Sequence, residues 1–208
     1  MDRSIRDLES FLEKHLSKSR YLHSINVARE CVKLAEIYGE DAEKAYFAGL
    51  MHDVCKELSF NKQHKLIINS QFEIDEIEFA SKPLWHAIAG AVFIRDEFGV
   101  TDSEILNAIR FHTTAHGGMS RFEEIVYLAD LISIDRDYGD LEKMRELAYS
   151  DISEAMREAM AYSILSSVKK SVYLPRQTVE AYNNYLYAKG NNIEVKIKEK
   201  QNGKYKEA

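Results

Sequence analysis

Gly-Leu-Met-His-Asp-Val-Cys-Lys, residues 49–56, places an imidazole and a carboxylate side by side in a mainly apolar stretch. His52 follows Ala48 by one helical turn, and this spacing predicts a helix over 41–56 with its polar pair turned toward the interior. Burying His52 and Asp53 away from water is unfavourable unless a partner compensates them. The stretch therefore predicts a buried polar site to which other segments contribute.

Helical periodicity extends from this stretch through nearly the whole chain. Apolar residues recur at spacings of three and four, and only two prolines interrupt 208 residues. Ser19 and Gly39 mark the ends of the second helix, and Ser120 with Glu123 forms a capping box. The pattern predicts an all-α fold with helices at 3–16, 19–38, 41–56, 61–69, 84–98, 103–113, 120–134, 151–172 and 178–189.

Length and composition indicate one globular domain with a short appendage. The chain is 45% hydrophobic and 30% charged, as ordinary soluble proteins are. Nothing in residues 1–189 marks a domain boundary, so this range is predicted to form the domain. Residues 190–208 are polar and rich in lysine; they predict either a marginal hairpin or a flexible tail, and we favour the tail.

The net charge of −6 disfavours nucleic acid and anionic membranes as main partners, because both are bound through basic patches. No apolar run approaches the roughly 20 residues that span a bilayer, and the N-terminus lacks an apolar signal-peptide core. Cys31 and Cys55 are too few for a disulfide framework and are expected to be reduced core residues. These features predict a cytoplasmic protein.

Further imidazoles and a carboxylate fall on apolar faces of other predicted helices. The complete inward-facing set comprises His23, His52, Asp53, His86, His112 and Asp130. One buried histidine is more often a hydrogen-bonded core residue than a ligand, but four histidines and two carboxylates are difficult to bury together. A shared cation removes this difficulty, so the set predicts a metal site in the helical core. His116, in a glycine-rich turn, is expected to lie outside the ligand set.

The donor types restrict the metal without identifying it. An imidazole and carboxylate set without thiolate suits iron or manganese, and it also admits zinc or cobalt. Six ligands exceed the three or four that one catalytic ion takes from a protein, and a carboxylate such as Asp53 can bridge two ions.

The order of these motifs resembles the HD-domain phosphohydrolases and, among them, the bacterial YqeK family. The resemblance covers roughly residues 15–187. It is carried by Arg20-Tyr21-Leu22-His23-Ser24, by residues 49–56, by Phe111-His112-Thr113-Thr114, and by Tyr127-Leu128-Ala129-Asp130 with Asp135-Arg136 further on.

The resemblance implies an HD-domain helical bundle that splits diadenosine tetraphosphate symmetrically into two ADP at a di-iron centre, as a homodimer in the family. It assigns metal binding to the six inward-facing residues and a catalytic role to Asp53 and Lys56. The implied substrate contacts are Arg20, Lys56, Thr113, Arg136, Tyr173 and Arg176. The segment Val172-Tyr173-Leu174-Pro175-Arg176-Gln177-Thr178 departs from the more compact Pro-x-Thr that the family pattern leads us to expect.

Two other functions are compatible with the same metal site. One is an HD-type nucleotidase that acts on nucleoside monophosphates or other small phosphate esters. The other is a helical regulatory protein that binds a nucleotide or a metal without turnover. The complete ligand set together with Lys56 argues against the second, because a degenerate site would be expected to lack some of these residues.

Overall fold

The computed structural model describes residues 4–187, and all regular structure in this range is helical. No strand occurs between residues 4 and 187, which confirms the predicted all-α class. The helices are α1 (Ile5–His15), α2 (Lys18–Tyr38), α3 (Ala42–Met51), α4 (Phe60–Ile68), α5 (Glu76–Ala80), α6 (Trp85–Phe98), α7 (Ser103–Phe111), α8 (Arg121–Ile132), α9 (Leu141–Ser150), α10 (Ile152–Lys169) and α11 (176–187), with a 3₁₀ turn at Lys82–Leu84.

The helix that contains the His-Asp pair is shorter than predicted. It ends at Met51, and the chain continues to Leu58 through tight turns in which Lys56 N donates to the Asp53 carbonyl at 2.9 Å. His52, the residue after the helix, keeps helical backbone angles, and the side chains of His52 and Asp53 are both buried.

Other boundaries also differ from the prediction. The second helix is capped by Ser17 rather than Ser19, because the side chain of Glu57 binds Ser17 N and Oγ at 2.6 and 2.7 Å. The sequence pattern missed α5, which has five residues, and α9, which has ten. In α5 only Glu78 is buried, so that helix carries no apolar stripe to detect. The left-handed cap at Gly39 and the capping box of α8 are confirmed.

The core lies among α2, α3, α6, α7 and α8, the same helices that carry the predicted ligands. Contact between α2 and α3 is close at Gly49, where an added Cβ would stand 2.7 Å from Cys31 Sγ and 2.8 Å from Ala28 Cα. Cys31 and Cys55 are both free and buried, as predicted.

Within residues 4–187 no helix combines the length and the apolar character that a membrane crossing requires. The predicted tail, 190–208, lies outside the described residues, and the boundary before it stays a prediction.

Candidate metal centre

The six side chains predicted as ligands converge in the interior. They are positioned by five helices: His23 by α2, His52 and Asp53 by the end of α3, His86 by α6, His112 by the end of α7, and Asp130 by α8. The four histidines and Asp53 are buried, and the Asp130 side chain is 19% exposed. Residues more than a hundred positions apart in the sequence thus meet at one point.

Asp53 stands between two sets of histidines. Its Oδ1 lies 3.2 Å from His86 Nε2 and 3.6 Å from His112 Nε2. Its Oδ2 lies 3.5 Å from His52 Nε2 and 4.0 Å from His23 Nε2. One carboxylate therefore presents each oxygen to a different pair of imidazoles.

Asp130 completes one of the two sides. Its Oδ1 lies 3.0 Å from His23 Nε2 and 3.9 Å from His52 Nε2. The ligand atoms of His23, His52 and Asp130 lie within 4.8 Å of one another, and so do those of His52, Asp53 and His112. Both groups have dimensions that can hold a metal ion.

Each of the four imidazoles is oriented by a bond at the nitrogen that faces away from the cluster. The Nδ1 atoms of His52, His86 and His112 lie 2.7, 2.8 and 2.8 Å from the carbonyl oxygens of Gly49, Pro83 and Ile109, and His23 Nδ1 lies 2.7 Å from Asp135 Oδ2. A carbonyl oxygen can only accept, so Nδ1 carries the proton in those three rings. Their Nε2 lone pairs then face the cluster, as metal ligands require.

Three acceptor atoms of the cluster lack donors, which fits a bound cation. The buried atoms His23 Nε2, His52 Nε2 and Asp53 Oδ1 have no hydrogen-bond partner. His86 Nε2 and His112 Nε2 lie only 3.2 Å apart, although both rings are protonated at Nδ1. Buried polar atoms are rarely left unpaired, and a divalent ion between these lone pairs would satisfy them.

The electrostatics of the site keep two of the rings neutral. Burial lowers the pKa of His86 to about 4, and the Lys56 ammonium adds to this effect. Burial likewise lowers the pKa of His112. Burial opposes ionisation of Asp53, but His52 and the other surrounding histidines outweigh it and lower its pKa well below the usual range. Neutral imidazoles beside an ionised carboxylate are the protonation states that bind metals.

Three basic side chains border the cluster. Arg20 NH1 lies 2.7 Å from Asp53 Oδ2, and Lys56 Nζ lies 3.0 Å from His86 Nε2. Arg136 binds the carboxylate of Asp130 and also donates from Nε to its backbone carbonyl at 2.7 Å. These cations are 29%, 35% and 38% exposed, so they reach from the buried carboxylates to the surface.

A cavity of about 590 Å³ adjoins the cluster. Thr113 and Pro83 line it; the first directly follows His112, and the carbonyl of the second bonds to His86. Tyr173, which is 57% exposed, also lines it. Pockets of several hundred cubic ångströms with a few polar groups are typical ligand sites.

Two sequence-derived assignments lie apart from the cluster. Arg176, a predicted substrate contact, is 78% exposed in its side chain and pairs with Glu180 at 2.7 Å. His116 pairs with Glu123 at 3.0 Å, and its ring is tilted against the Phe111 ring with centroids 4.3 Å apart.

Asp135 contacts the cluster although the sequence pattern did not predict it as a functional residue. Its Oδ2 bonds to His23 Nδ1, while Asn26 donates to its Oδ1 at 3.1 Å. A carboxylate behind a metal-binding histidine fixes the ring and increases its basicity. Asp135 is partly exposed and follows α8 in a turn, so no apolar periodicity marks it.

Known proteins resemble this chain in sequence and in fold. The HD domain family model matches residues 20–135. The symmetrical bis(5'-nucleosyl)-tetraphosphatase of Halalkalibacterium halodurans is 35% identical over 84% of this chain and 93% of its own length. The protein of the same name from Bacillus subtilis is 30% identical over 83% and 92%. The crystal structure of a predicted HD superfamily hydrolase involved in NAD metabolism, from Clostridium acetobutylicum, has a TM-score of 0.85 and 33% identity, covering 89% of this chain and 98% of that one.

Proposed function

The chain belongs to the HD-domain family, and on that basis we propose that it is a metal-dependent phosphohydrolase that splits diadenosine tetraphosphate symmetrically into two ADP. The observation that carries the proposal is the position of Asp53, with one oxygen toward each pair of imidazoles and no hydrogen-bond partner for Oδ1. The activity is that of relatives which the chain matches over more than nine-tenths of their length.

We assign two metal ions to this cluster. His23, His52, Asp53, His86, His112 and Asp130 would hold them, with the two oxygens of Asp53 facing different pairs of imidazoles. The donor set suits iron, with manganese, zinc and cobalt as alternatives. When bound, such ions lower the pKa of water enough to supply a nucleophile at neutral pH, and they offset charge on phosphoryl oxygens.

The basic side chains of the protein would bind the polyphosphate. Arg20, Lys56 and Arg136 surround the buried carboxylates and are partly exposed, so their free N–H groups can bind phosphoryl oxygens. Hydrolysis consumes one water, breaks the central P–O–P linkage and leaves ADP on each side. Lys56, beside both His86 and Asp53, is placed to offset the charge that grows during this step.

The adjoining cavity suits the nucleoside end of the substrate. Apart from Lys82, its lining residues are uncharged, so it favours a neutral planar group over a phosphate. Tyr173 provides an aromatic face on which a base can stack. The Thr113 hydroxyl is buried without a partner, and Thr113 lines this cavity and directly follows the proposed ligand His112.

The proposal also includes predictions about the protein's surroundings. Dinucleoside polyphosphate is the partner, and nucleic acid and membrane lipid are not. A cytoplasmic location and a homodimer stay predictions, as does the division into a domain at 1–189 and a tail at 190–208.

Product analysis tests the proposed function. Metal-loaded protein is incubated with diadenosine tetraphosphate, the nucleotides are separated, and bound metals are measured by elemental analysis. Release of ADP alone is expected. Formation of ATP with AMP, or turnover of nucleoside monophosphates but not of the dinucleotide, would reject symmetrical cleavage.

A further inference from the structure

A buried ion pair joins α5 and α7, the two helices after which the chain runs into the cavity lining at 80–84 and at Thr113. Arg110, in the last turn of α7, binds both carboxylate oxygens of Glu78 in α5, at 2.6 and 2.7 Å. Their side chains are 1% and 0% exposed. Neither residue belongs to the predicted active site.

This ion pair anchors α5. Glu78 is the only buried residue of that five-residue helix, and its apolar neighbours Ile77 and Phe79 are 39% and 42% exposed. The Phe79 ring packs 5.7 Å from the Trp85 ring and 5.8 Å from the His64 ring. The ionic bonds to Arg110, with a hydrogen bond from Trp85 Nε1 to the Phe79 carbonyl at 2.9 Å, add polar attachment to this packing.

A third segment joins the same pair. Gln177, at the start of α11, donates from Nε2 to Glu78 Oε2 at 3.3 Å. The next residue, Thr178, donates from Oγ1 to the carbonyl of Thr114 at 2.8 Å, and both groups are buried. The chain before α11 is thus tied to α5 and to the end of α7 by polar contacts.

The segments that meet at this pair form three walls of the cavity, and Ser163 and Ser167 of α10 line it as well. One wall is 80–84, which begins at the last residue of α5. A second is Thr113 and Thr114, three and four residues after Arg110, and a third includes Val172, Tyr173 and Pro175, just before Gln177. The spacing between these walls depends on contacts that Glu78, Arg110 and Gln177 make.

We propose that Glu78, Arg110 and Gln177 are positioning residues that hold the cavity walls in the shape that binds the nucleoside end of the substrate. The inference rests on the proposed function, since it takes the cavity as the nucleoside site. A buried ion pair is a weak source of stability, because apolar residues of similar size often replace one without loss. The pair also bonds to a third segment through Gln177, and these contacts are better explained if the pair orients the three segments than if it stabilises the fold.

Two variants test the proposal. Gln177→Leu removes only the tie to the third wall, and the double variant Glu78→Leu with Arg110→Met replaces the pair by apolar side chains without leaving a buried charge. Both are expected to raise KM for diadenosine tetraphosphate about tenfold and to change kcat by less than about threefold. Metal content and the unfolding midpoint of Gln177→Leu are expected to stay at the wild-type values.

Val179→Ala, on the same turn of α11 and partly exposed, is the matched control and is expected to leave KM unchanged. Should the double variant not fold, Gln177→Leu decides alone. An unchanged KM in every folded variant, or a fall in kcat with KM unchanged, overturns the proposal. If the wild type does not cleave the dinucleotide, the proposed function fails separately. In that case the affinity for ADP is measured by calorimetry in the wild type and in Gln177→Leu. We expect the variant to bind ADP about tenfold more weakly. Equal affinity in the two proteins, or no ADP binding by the wild type, overturns the positioning role.

Discussion

The cluster of predicted ligands and the cavity are held in place by different interactions. The predicted ligands lie on helices whose apolar neighbours fill the core, and each imidazole is fixed by a bond at Nδ1. The cavity walls at 80–84 and 171–178 lie largely outside the long helices. They include exposed apolar side chains such as Val172 and Tyr173, which are 54% and 57% exposed.

We therefore expect the cluster to determine catalysis and the cavity to determine substrate recognition. Packing of α2, α3, α6, α7 and α8 sets the cluster, so a change there is expected to alter metal binding and kcat. A few polar ties set the cavity, so a change there is expected to alter KM while the cluster stays intact. The largest effects are therefore expected at the centre and smaller ones with distance from it.

Replacement of the central carboxylate is expected to have the largest effect. Asp53→Asn keeps the shape of the side chain but substitutes an amide nitrogen for one of the two oxygens that face the imidazoles. We expect kcat for diadenosine tetraphosphate to fall about a thousandfold or more, with loss of bound metal. Steady-state kinetics and elemental analysis measure this. Asp96→Asn, on the surface of α6, is the control; an Asp53 variant within tenfold of wild type would contradict the assigned centre.

Loss of the carboxylate behind His23 is expected to have a smaller effect. Asp135→Asn weakens the bond at His23 Nδ1 that orients the ring toward Asp130. Metal affinity or kcat is expected to fall about 10- to 100-fold, as for other outer-shell partners of metal-binding histidines. Metal titration and kinetics give the two values. The exposed neighbour Asp137, changed to Asn, should behave as wild type, and equal effects at both positions would remove the special role of Asp135.

The sequence predicted the cluster well because its residues obey core periodicity. His23 and Asp130 recur with apolar neighbours at helical spacing, so their inward direction could be read from the chain. The end of α3 just before His52 could not be predicted in the same way, because the tight turns that follow it leave no periodic signal in the sequence. The structure supplies what the sequence lacked there, which is the division of the Asp53 oxygens between two pairs of rings.

The cavity could not be predicted from the sequence, because the segments that line it show little core periodicity. Its walls come from α5, from a 3₁₀ turn and from the chain before α11, and the ion pair between Glu78 and Arg110 joins residues 32 positions apart. Charged residues are ordinarily predicted to be exposed, so periodicity assigns both to the surface. Tyr173 entered the prediction only through a family resemblance, and the cavity gives its position a physical basis.

Removal of the aromatic wall is expected to affect recognition alone. Tyr173→Ala deletes a face on which a base can stack, an interaction of about 1–3 kcal/mol in other proteins. We expect KM to rise about tenfold with kcat nearly unchanged, and Tyr173→Phe to retain the wild-type KM. Kinetics on all three proteins provide the comparison. A fall in kcat without a change in KM would mean that this wall belongs to the catalytic centre.

The smallest effect is expected at His116, which pairs with Glu123 and belongs neither to the predicted ligands nor to the cavity lining. Burial lowers its pKa, but the hydrogen bond to the Glu123 carboxylate outweighs burial, so its folded-state pKa is raised above about 6.5. A raised pKa contributes stability that is fully present below the unfolded value and is lost as pH rises through the folded value.

In His116→Gln the amide keeps a donor for Glu123 but loses the titrating charge. The difference in free energy of unfolding between wild type and variant is therefore expected to be largest below about pH 6.5. It should shrink at higher pH, with a total change below about 1 kcal/mol because the side chain is partly exposed. Urea denaturation between about pH 5.5 and 8.5 measures both curves. Parallel curves would show that the bond between His116 and Glu123 does not contribute to the pH dependence of folding. A fall in kcat in the same variant would place His116 within the metal centre, from which its pairing with Glu123 separates it.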